Sequence, residues 1–296
     1  MTSLSIALLG PPEVRRGAEI VEIPIRKSLA LLAYLAVTGR PQPREALAAL
    51  LWPEADHQRA RGALRYALAE LRRALGDWLV ADRQSVGLDW SREILVDVAA
   101  FRRGAGARDL AGLREAAELW RGDFLSGFSL EDSPAFDDWQ LFEAEGLRQE
   151  LARCLEALVA GLIGAGQPRE AIGPARRWVS LDAWHEPAHC ALMEALARSG
   201  QRQAALRQYD ACARTLEEGL GLRPSEETER LRQRLLADPP PARTGEPASL
   251  ADAAPPAHNL PPQQTAFVGR DAELAQLAAY LADPQRRLIT LAGPGG

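Results

Sequence analysis

The sequence predicts a mainly α-helical protein with small β-hairpins near its N-terminus. From about residue 107 to 237, apolar residues recur at helical spacing with no strong strand candidate among them, which is the pattern of amphipathic helices. Short stretches rich in Ile, Val and Leu occur at 4–10, 18–24 and 78–97, and such stretches are typical of strands. Hydrophobic residues make up 47% and charged residues 25% of the chain, which fits a globular protein.

Residues 1–100 are expected to combine hairpins with three helices. The stretches 4–10 and 18–24 flank a turn of Gly, Pro and Arg, which predicts a first hairpin. Helical periodicity predicts three helices, each ended by Gly or Pro, at 28–37, 44–52 and 56–75. Three short extended segments then predict a second small hairpin, at 78–81, 85–89 and 93–97.

The third of these helices carries a local positive charge. Between His57 and Leu75 there are five arginines and one glutamate, a charge of +4, whereas the whole chain has a net charge of −5. Leucines at spacings of four, three and four residues form one face of this helix. A helical wheel places Arg59, Tyr66 and Arg73 on the opposite side and Arg61, Arg65 and Arg72 on the flanks.

Three helices with a flanking hairpin are typical of a winged helix-turn-helix, whose third helix enters the DNA major groove. Arginine can donate two hydrogen bonds to guanine or to phosphate. The candidate groove contacts are therefore Arg59, Arg61, Arg65, Tyr66 and Arg73. The alternative is a solvated amphipathic helix with surface ion pairs, and it applies most to Arg65 and Arg72, since flank positions often pair with acids of neighbouring helices.

Basic and polar residues at two other places are candidates for contacts with DNA phosphates, which position a protein without reading sequence. Arg26, Lys27 and Ser28 begin the first helix, and Arg83 lies in the wing turn with Gln84 and Ser85. The alternative interpretation is that these are solvated turn residues.

An internal repeat lies within the helical region. Residues 157–172 align with 191–206 at an offset of 34 residues, with matching Gly166 and Gly200. A 34-residue period of paired helices is typical of tetratricopeptide repeats, in which each pair buries its apolar face against the next pair. We therefore expect a tetratricopeptide-like domain over 101–237.

The string His185-Glu186-Pro187-Ala188-His189 matches the zinc-protease pattern H-E-x-x-H. That pattern needs both histidines in mid-helix, whereas Pro187 is tolerated only in the first helical turn. We therefore expect a helix start here, and we predict neither a metal site nor a catalytic residue in this chain.

The C-terminal part of the sequence changes character. Residues 238–264 contain eight prolines and are predicted to be a linker. In 265–296, a predicted strand precedes Gly293, Gly295 and Gly296, which match the beginning of a phosphate-binding P-loop. The Lys and Ser/Thr of that motif do not follow, so we expect no cofactor in this chain, and ATP with Mg²⁺ only in a longer parent protein.

Several segments resemble the antibiotic regulatory protein (SARP) family. Residues 3–100 resemble its OmpR-like winged-helix domain, in the segments LSIALLGPPEV, RKSLALLAYLA, PREALAALLWP and ARGALRYALAELRRALG. Residues 100–237 resemble its bacterial transcriptional activator domain, most specifically in LGLRPSEET at 220–228. Residues 265–296 resemble the start of an NB-ARC/AAA-like ATPase domain, so that the chain is expected to be a piece of a longer protein.

The resemblance implies a cytoplasmic transcriptional activator that binds direct repeats in double-stranded promoter DNA. It also implies that the helical repeats serve dimerisation and contacts with RNA polymerase. No apolar run approaches the length of a membrane helix, so no membrane partner is expected. Two alternatives stay open from the residues: a signal-transduction ATPase fragment, and a helical-repeat scaffold that does not bind DNA.

Overall fold

The computed structural model describes residues 3–237, and this range contains seven strands and ten α-helices. The predicted linker 238–264 and the predicted P-loop beginning, with Gly293, Gly295 and Gly296, lie outside the described residues. The predicted fold class, a winged helix-turn-helix followed by helical repeats, is confirmed. None of the helices in the described range is long and apolar enough to cross a membrane.

The N-terminal part consists of two small sheets packed against three helices. The strands are β1 (Leu4–Ala7), β2 (Glu13–Arg16), β3 (Glu19–Ile20), β4 (Gln42–Pro43), β5 (Leu79–Ala81), β6 (Ser85–Leu88) and β7 (Ile94–Val96). The helices are α1 (Arg26–Thr38), α2 (Arg44–Leu51) and α3 (His57–Leu75). All three helices lie where the sequence predicted them, because buried leucines set their inner faces.

The predicted first hairpin has the wrong partner strand. β1 pairs antiparallel with β2, in a register that places Leu4 opposite Arg16, whereas the predicted stretch 18–24 contributes only the short β3 at the sheet edge. The burial of β2 explains the difference, since only Val14 is buried and the two arginines after it are exposed. A strand with one inward residue carries little apolar signal in the sequence.

The second predicted hairpin is confirmed in part. β5 and β6 pair antiparallel, with Leu79 opposite Leu88. β7 does not join them, because it pairs in parallel with β1 in the other sheet. This pairing brings the start of the helical part of the chain against the N-terminal strand.

The remaining helices run to the end of the described range. They are α4 (Asp97–Ala105), α5 (Leu110–Leu119), α6 (Pro134–Gly164), α7 (Pro168–Leu181), α8 (Glu186–Arg198), α9 (Arg202–Leu220) and α10 (Glu226–Ala237). The residues between α5 and α6, 120–133, form an irregular stretch that we call the connecting segment. Several of its apolar side chains are buried in the core, namely Trp120, Phe124, Leu125, Phe128 and Leu130.

The predicted repeat corresponds to two helical hairpins with the same turn. α6 and α7 are joined through Gly166, and α8 and α9 through Gly200, both with positive φ, 73° and 82°. In each turn the amide after the glycine donates to a carbonyl five residues earlier, from Gln167 to Leu162 and from Gln201 to Leu196, both at 2.8 Å. These are Schellman-type helix ends, which is why the glycines recur at the period of the repeat.

One hydrophobic core runs through both predicted domains. The hydroxyl of Ser133 donates to the carbonyl of Leu51, the last residue of α2, at 2.7 Å. The amide of Leu125 donates to the carbonyl of Leu8 at 2.8 Å. The winged helix and the helical repeats are therefore tied together by the connecting segment, while the boundary near residue 100 stays a prediction.

The positive φ of Gly166 leads to a stability prediction with a control two residues away. Replacing Gly166 with Ala should lower the free energy of unfolding by about 1–2 kcal/mol, since a Cβ disfavours the left-handed region. Replacing Gly164, the last helical residue of α6, should instead be neutral or stabilising by up to about 1 kcal/mol. A Cβ atom added at either glycine would have no heavy atom of the surrounding structure within 4 Å, so a steric clash does not contribute to the difference between the two variants. Urea unfolding curves measure both values, and equal midpoints for the two variants would contradict this account of the turn.

Candidate nucleic-acid interface

Helix α3 is amphipathic in the manner expected of a recognition helix. Its N-cap is Asp56, whose carboxylate accepts a hydrogen bond from the amide of Arg59 at 2.9 Å. Leucines of the predicted face are buried. The side chain of Arg59 is 84% exposed and that of Arg73 is 74% exposed, and Tyr66 is 64% exposed. The far side of the helical wheel is thus the solvent face, as the sequence predicted.

A basic concave surface lies between α2, α3 and the turn that joins β5 to β6. We call it the wing groove, and it has a volume of about 820 Å³. Four arginines line it, together with two glutamines, one glutamate, Pro43 and Leu64: Arg44, Arg61, Arg65, Arg83, Gln58, Gln84 and Glu45. The structure therefore brings three of the sequence-predicted residues together, Arg61, Arg65 and Arg83.

The wing turn is held in place by Asp82 and Arg44. The Asp82 carboxylate accepts hydrogen bonds from the amides of Gln84 and Ser85, both at 2.7 Å. These backbone hydrogen bonds, that of Ser85 first, lower the pKa of Asp82 below its usual value of 3.8. The Arg44 guanidinium donates to the Asp82 carbonyl at 2.9 Å, and the Arg44 amide donates to the Gln84 carbonyl at 2.9 Å. The turn that carries Arg83 is thus bonded to the first residue of α2.

Three of the candidate arginines form ion pairs on the surface. Arg61 lies 2.6 Å from Glu45, Arg59 lies 3.3 Å from Asp56, and Arg73 lies 2.7 Å from Glu70. The pairs of Arg59 and Arg61 are exposed on both sides, and such pairs contribute only about 0–1 kcal/mol, so these two arginines can exchange a carboxylate for a phosphate at little cost. The pair of Arg73 is different, because the Glu70 side chain is only 11% exposed.

The alternative of a solvated helix with surface ion pairs applied most to Arg65 and Arg72. Both are exposed, and neither forms an ion pair with any residue in the range 3–237. The structure thus gives no support to pairing of these two flank residues with neighbouring helices. Arg65 lines the wing groove, whereas Arg72 does not.

The candidates at the start of α1 are placed elsewhere. Ser28 is fully buried, with its hydroxyl 3.4 Å from the carbonyl of Ala67, so its prediction as a phosphate contact is wrong. Arg26 donates to the Ser129 carbonyl at 2.6 Å and lies over the ring of Phe128. Lys27 lies 2.7 Å from the carboxylate of Asp132 and its side chain is only 15% exposed.

These contacts tie α1 to the connecting segment rather than to the wing groove, whose lining includes neither Arg26 nor Lys27. The cause is tertiary, because the segment that supplies the partners lies about a hundred residues further along the chain. Nothing near positions 26–28 in the sequence indicates those partners.

The sequence analysis missed Arg44 and Gln58. Arg44 follows Pro43 at a predicted helix start, and Gln58 lies in the predicted third helix, so both positions were within reach. Their place beside the wing could not be predicted, because only the pairing of β4 with β6 brings the start of α2 to the wing.

The histidine pair at 185–189 has a structural role. His185 is the N-cap of α8 and Pro187 lies in its first turn, which confirms the predicted helix start. His189 is buried, with Nε2 3.0 Å from the Ala183 carbonyl and Nδ1 2.7 Å from the Gln208 amide. Burial lowers the pKa of His189 below 6.5. Among the described residues no group of three or more potential ligands is arranged to hold a metal.

Comparison with known proteins agrees with this architecture. Residues 92–236 match the family model of the bacterial transcriptional activator domain. The chain is 29% identical over 301 residues to the regulatory protein AfsR of Streptomyces coelicolor, across 95% of this chain. It is 28% identical over 312 residues to AfsR of Streptomyces griseus, across 99% of this chain. Residues 92–236 therefore belong to the bacterial transcriptional activator domain family.

The chain spans only 29% and 31% of the lengths of those two relatives. Among solved structures it is similar to Mycobacterium tuberculosis EmbR in complex with a low-affinity phosphopeptide, with a TM-score of 0.59 and 24% identity. That match covers 80% of this chain and 65% of the EmbR chain, and it supports the fold.

The N-cap of α3 offers a test of the interface's local stability. Asp56→Ala should lower the free energy of unfolding by about 1 kcal/mol, since the first-turn amides lose their acceptor. Asp56→Asn keeps a capping oxygen and loses only the exposed ion pair with Arg59, so it should stay within about 0.5 kcal/mol of the parent protein. Urea unfolding and hydrogen exchange of the Arg59 amide measure the two effects. An equal loss in both variants would show that the ion pair matters and the cap does not.

Proposed function

We propose that this chain is a SARP-type transcriptional regulator that binds double-stranded promoter DNA, with α3 in the major groove and the β5–β6 turn against the backbone. The observation that carries the proposal is the wing groove, where arginines from α2, α3 and the wing line one concave surface. A winged helix-turn-helix uses its third helix in this way. The chain's net charge of −5 does not oppose this, because the positive charge is concentrated on one surface.

The arginines are proposed to divide into two roles. Arg65 and Arg83, in the wing groove, are placed to hold phosphates, which fix the register of the protein on the duplex. Arg59 and Arg73, with Tyr66, lie on the solvent face of α3 and are candidates to contact base edges, where arginine pairs with guanine. Arg61 lies between the two sets and is a candidate for either role.

We further propose that two copies bind direct repeats in a promoter and that the helical repeats contact a second copy and RNA polymerase. The similarity to SARP-type regulators supports these partners, and the AfsR relatives are described as regulatory proteins. The chain is proposed to act in the cytoplasm by binding rather than by catalysis. ATP and Mg²⁺ are proposed only for a longer parent protein.

Removing single arginines tests the DNA surface. Arg65→Ala and Arg83→Ala should each weaken binding to duplexes of any sequence about equally, and each should lower the slope of log affinity against log salt concentration by about one. Fluorescence anisotropy over a range of salt concentrations measures both quantities.

The matched control is Arg207→Ala on α9, which also removes an exposed arginine and should leave affinity and salt slope unchanged. If all three variants bind alike, the wing groove is not the DNA surface. If binding shows no salt dependence at all, the scaffold alternative replaces the DNA proposal.

Binding to direct repeats predicts a defined spacing of half-sites. Selection of bound duplexes from a random library should recover a repeated motif at a centre-to-centre distance of about 10–11 base pairs. Adding about five base pairs between the repeats should weaken binding, because the second half-site then faces the opposite side of the duplex, while adding a full turn should weaken it less. The proposal that two copies bind direct repeats would be contradicted if the selection recovered a single unrepeated motif that is bound equally well whatever sequence flanks it.

A further inference from the structure

A long groove runs along α6 on the helical-repeat part of the molecule. It consists of two adjoining concavities of about 410 Å³ and 290 Å³ that share Trp178 in their lining. The first lies between α6 and the loop from α7 to α8, and the second lies between α6, α8 and α10. We call the two together the α6 groove.

One stripe of α6 forms a wall of this groove. Glu145, Gln149, Ala152, Glu156 and Ile163 line the two concavities and follow one another at three- to seven-residue intervals, so they lie on one side of the helix. Leu141 precedes them on the same side. The stripe from 141 to 163 extends for about 33 Å at 1.5 Å per residue, which is long enough for several turns of a bound helix.

Large apolar side chains are exposed at one end of the groove. Trp184 in the α7–α8 loop is 53% exposed, and Leu141 and Phe142 on α6 are 72% and 79% exposed. The Trp178 ring is buried beneath and lines both concavities. Exposed aromatic and apolar groups beside a cavity are typical of anchoring points in protein interfaces.

The charged groups along the groove are mainly acidic. Five carboxylates and two guanidinium groups line it, a net charge of −3: Glu145, Glu156, Asp182, Glu194 and Glu227 against Arg148 and Arg234. Arg148 already forms ion pairs with Asp123 at 2.9 Å and with Glu145 at 3.7 Å. Glu156 and Glu227 are exposed and form no ion pair within residues 3–237. These two carboxylates therefore remain to meet a basic group from outside.

We propose that the α6 groove binds a basic amphipathic segment of a partner protein, with apolar side chains at helical spacing and Lys or Arg between them. The apolar side chains would contact Trp178 and Trp184, and the basic groups would meet Glu156 and Glu227. The proposal rests on the proposed role of the helical repeats in protein contacts and gives it a location and a chemistry.

The charge of the groove argues against other occupants. A nucleic-acid backbone is repelled by a net charge of −3. Two copies meeting through this same groove would bring the same acidic stripes together, and like charges across an interface are unfavourable. A basic segment is the occupant that satisfies both the carboxylates and the apolar floor.

A synthetic peptide tests the proposal with the full chain. The probe is a fluorescein-labelled 16-residue peptide with Leu at every third or fourth position and Lys at most others, compared with the same peptide carrying Glu for Lys. The Lys peptide should bind at least about tenfold more tightly than the Glu peptide. Its affinity should fall about tenfold or more in Trp184→Ala, which removes the exposed anchor, and in the double variant Glu156→Lys/Glu227→Lys.

The matched control is Glu115→Lys/Glu118→Lys on α5, which changes the net charge equally at exposed positions outside the groove and should leave peptide affinity within about twofold. Equal losses in both double variants would show nonspecific attraction and overturn the proposal, as would binding of both peptides alike or of neither. Duplex DNA affinity, measured on the same samples, should be unchanged in Trp184→Ala. Loss of DNA binding by the parent protein with peptide binding retained would overturn the DNA proposal and leave this one standing.

Discussion

The backbone of Leu8 and Leu9 is the point on which the arrangement of the whole molecule depends. Both residues are fully buried, and their polar groups receive partners from far along the chain. The Asp97 carboxylate accepts both amides, at 2.7 to 2.8 Å, and the amides of Arg121 and Leu125 donate to the two carbonyls. Buried backbone groups without partners are costly, so this stretch can be buried only when the helical part is folded against it.

Burial in this arrangement is unfavourable for the charged form of Asp97. Burial raises the pKa of its carboxyl above the usual 3.8, although three backbone amides hydrogen-bond to it and oppose the shift. The carboxylate lies where β7 ends and α4 begins, so one side chain connects β1, β7 and the first helix of the C-terminal part. The connecting segment continues the contact through Ser133, which bonds the end of α2. The winged-helix part and the helical repeats therefore form parts of one folded unit, and the α6 groove and the wing groove are features of a single framework.

The solvent face of α3 was predictable because it depends on local periodicity. Leucine spacing alone identified the buried side and therefore placed Arg59, Tyr66 and Arg73 on the outside. The repeat was likewise predictable from Gly166 and Gly200, because a Schellman-type helix end needs a residue in the left-handed conformation at a fixed position. The prediction that Ser28 contacts phosphate was wrong. Its position at a helix start did not reveal that its hydroxyl lies in the core, beside a carbonyl of α3. Arg26 and Lys27 were basic residues at a helix start, and their partners in the connecting segment have no signature near them in the chain.

The sequence by itself determined the helices, the repeat, the family resemblance and the basic side of α3, because each of these follows from residues close together in the chain. Only the tertiary structure decided which arginines share a surface. Arg44, Arg65 and Arg83 come from three elements, and the pairing of β4 with β6 together with the packing of α2 on α3 brings them around one groove. The α6 groove was decided in the same way, since its walls come from helices up to ninety residues apart. Contacts between residues so far apart in the chain form when buried backbone groups find hydrogen-bond partners and apolar faces pack together. The local sequence does not specify these partners.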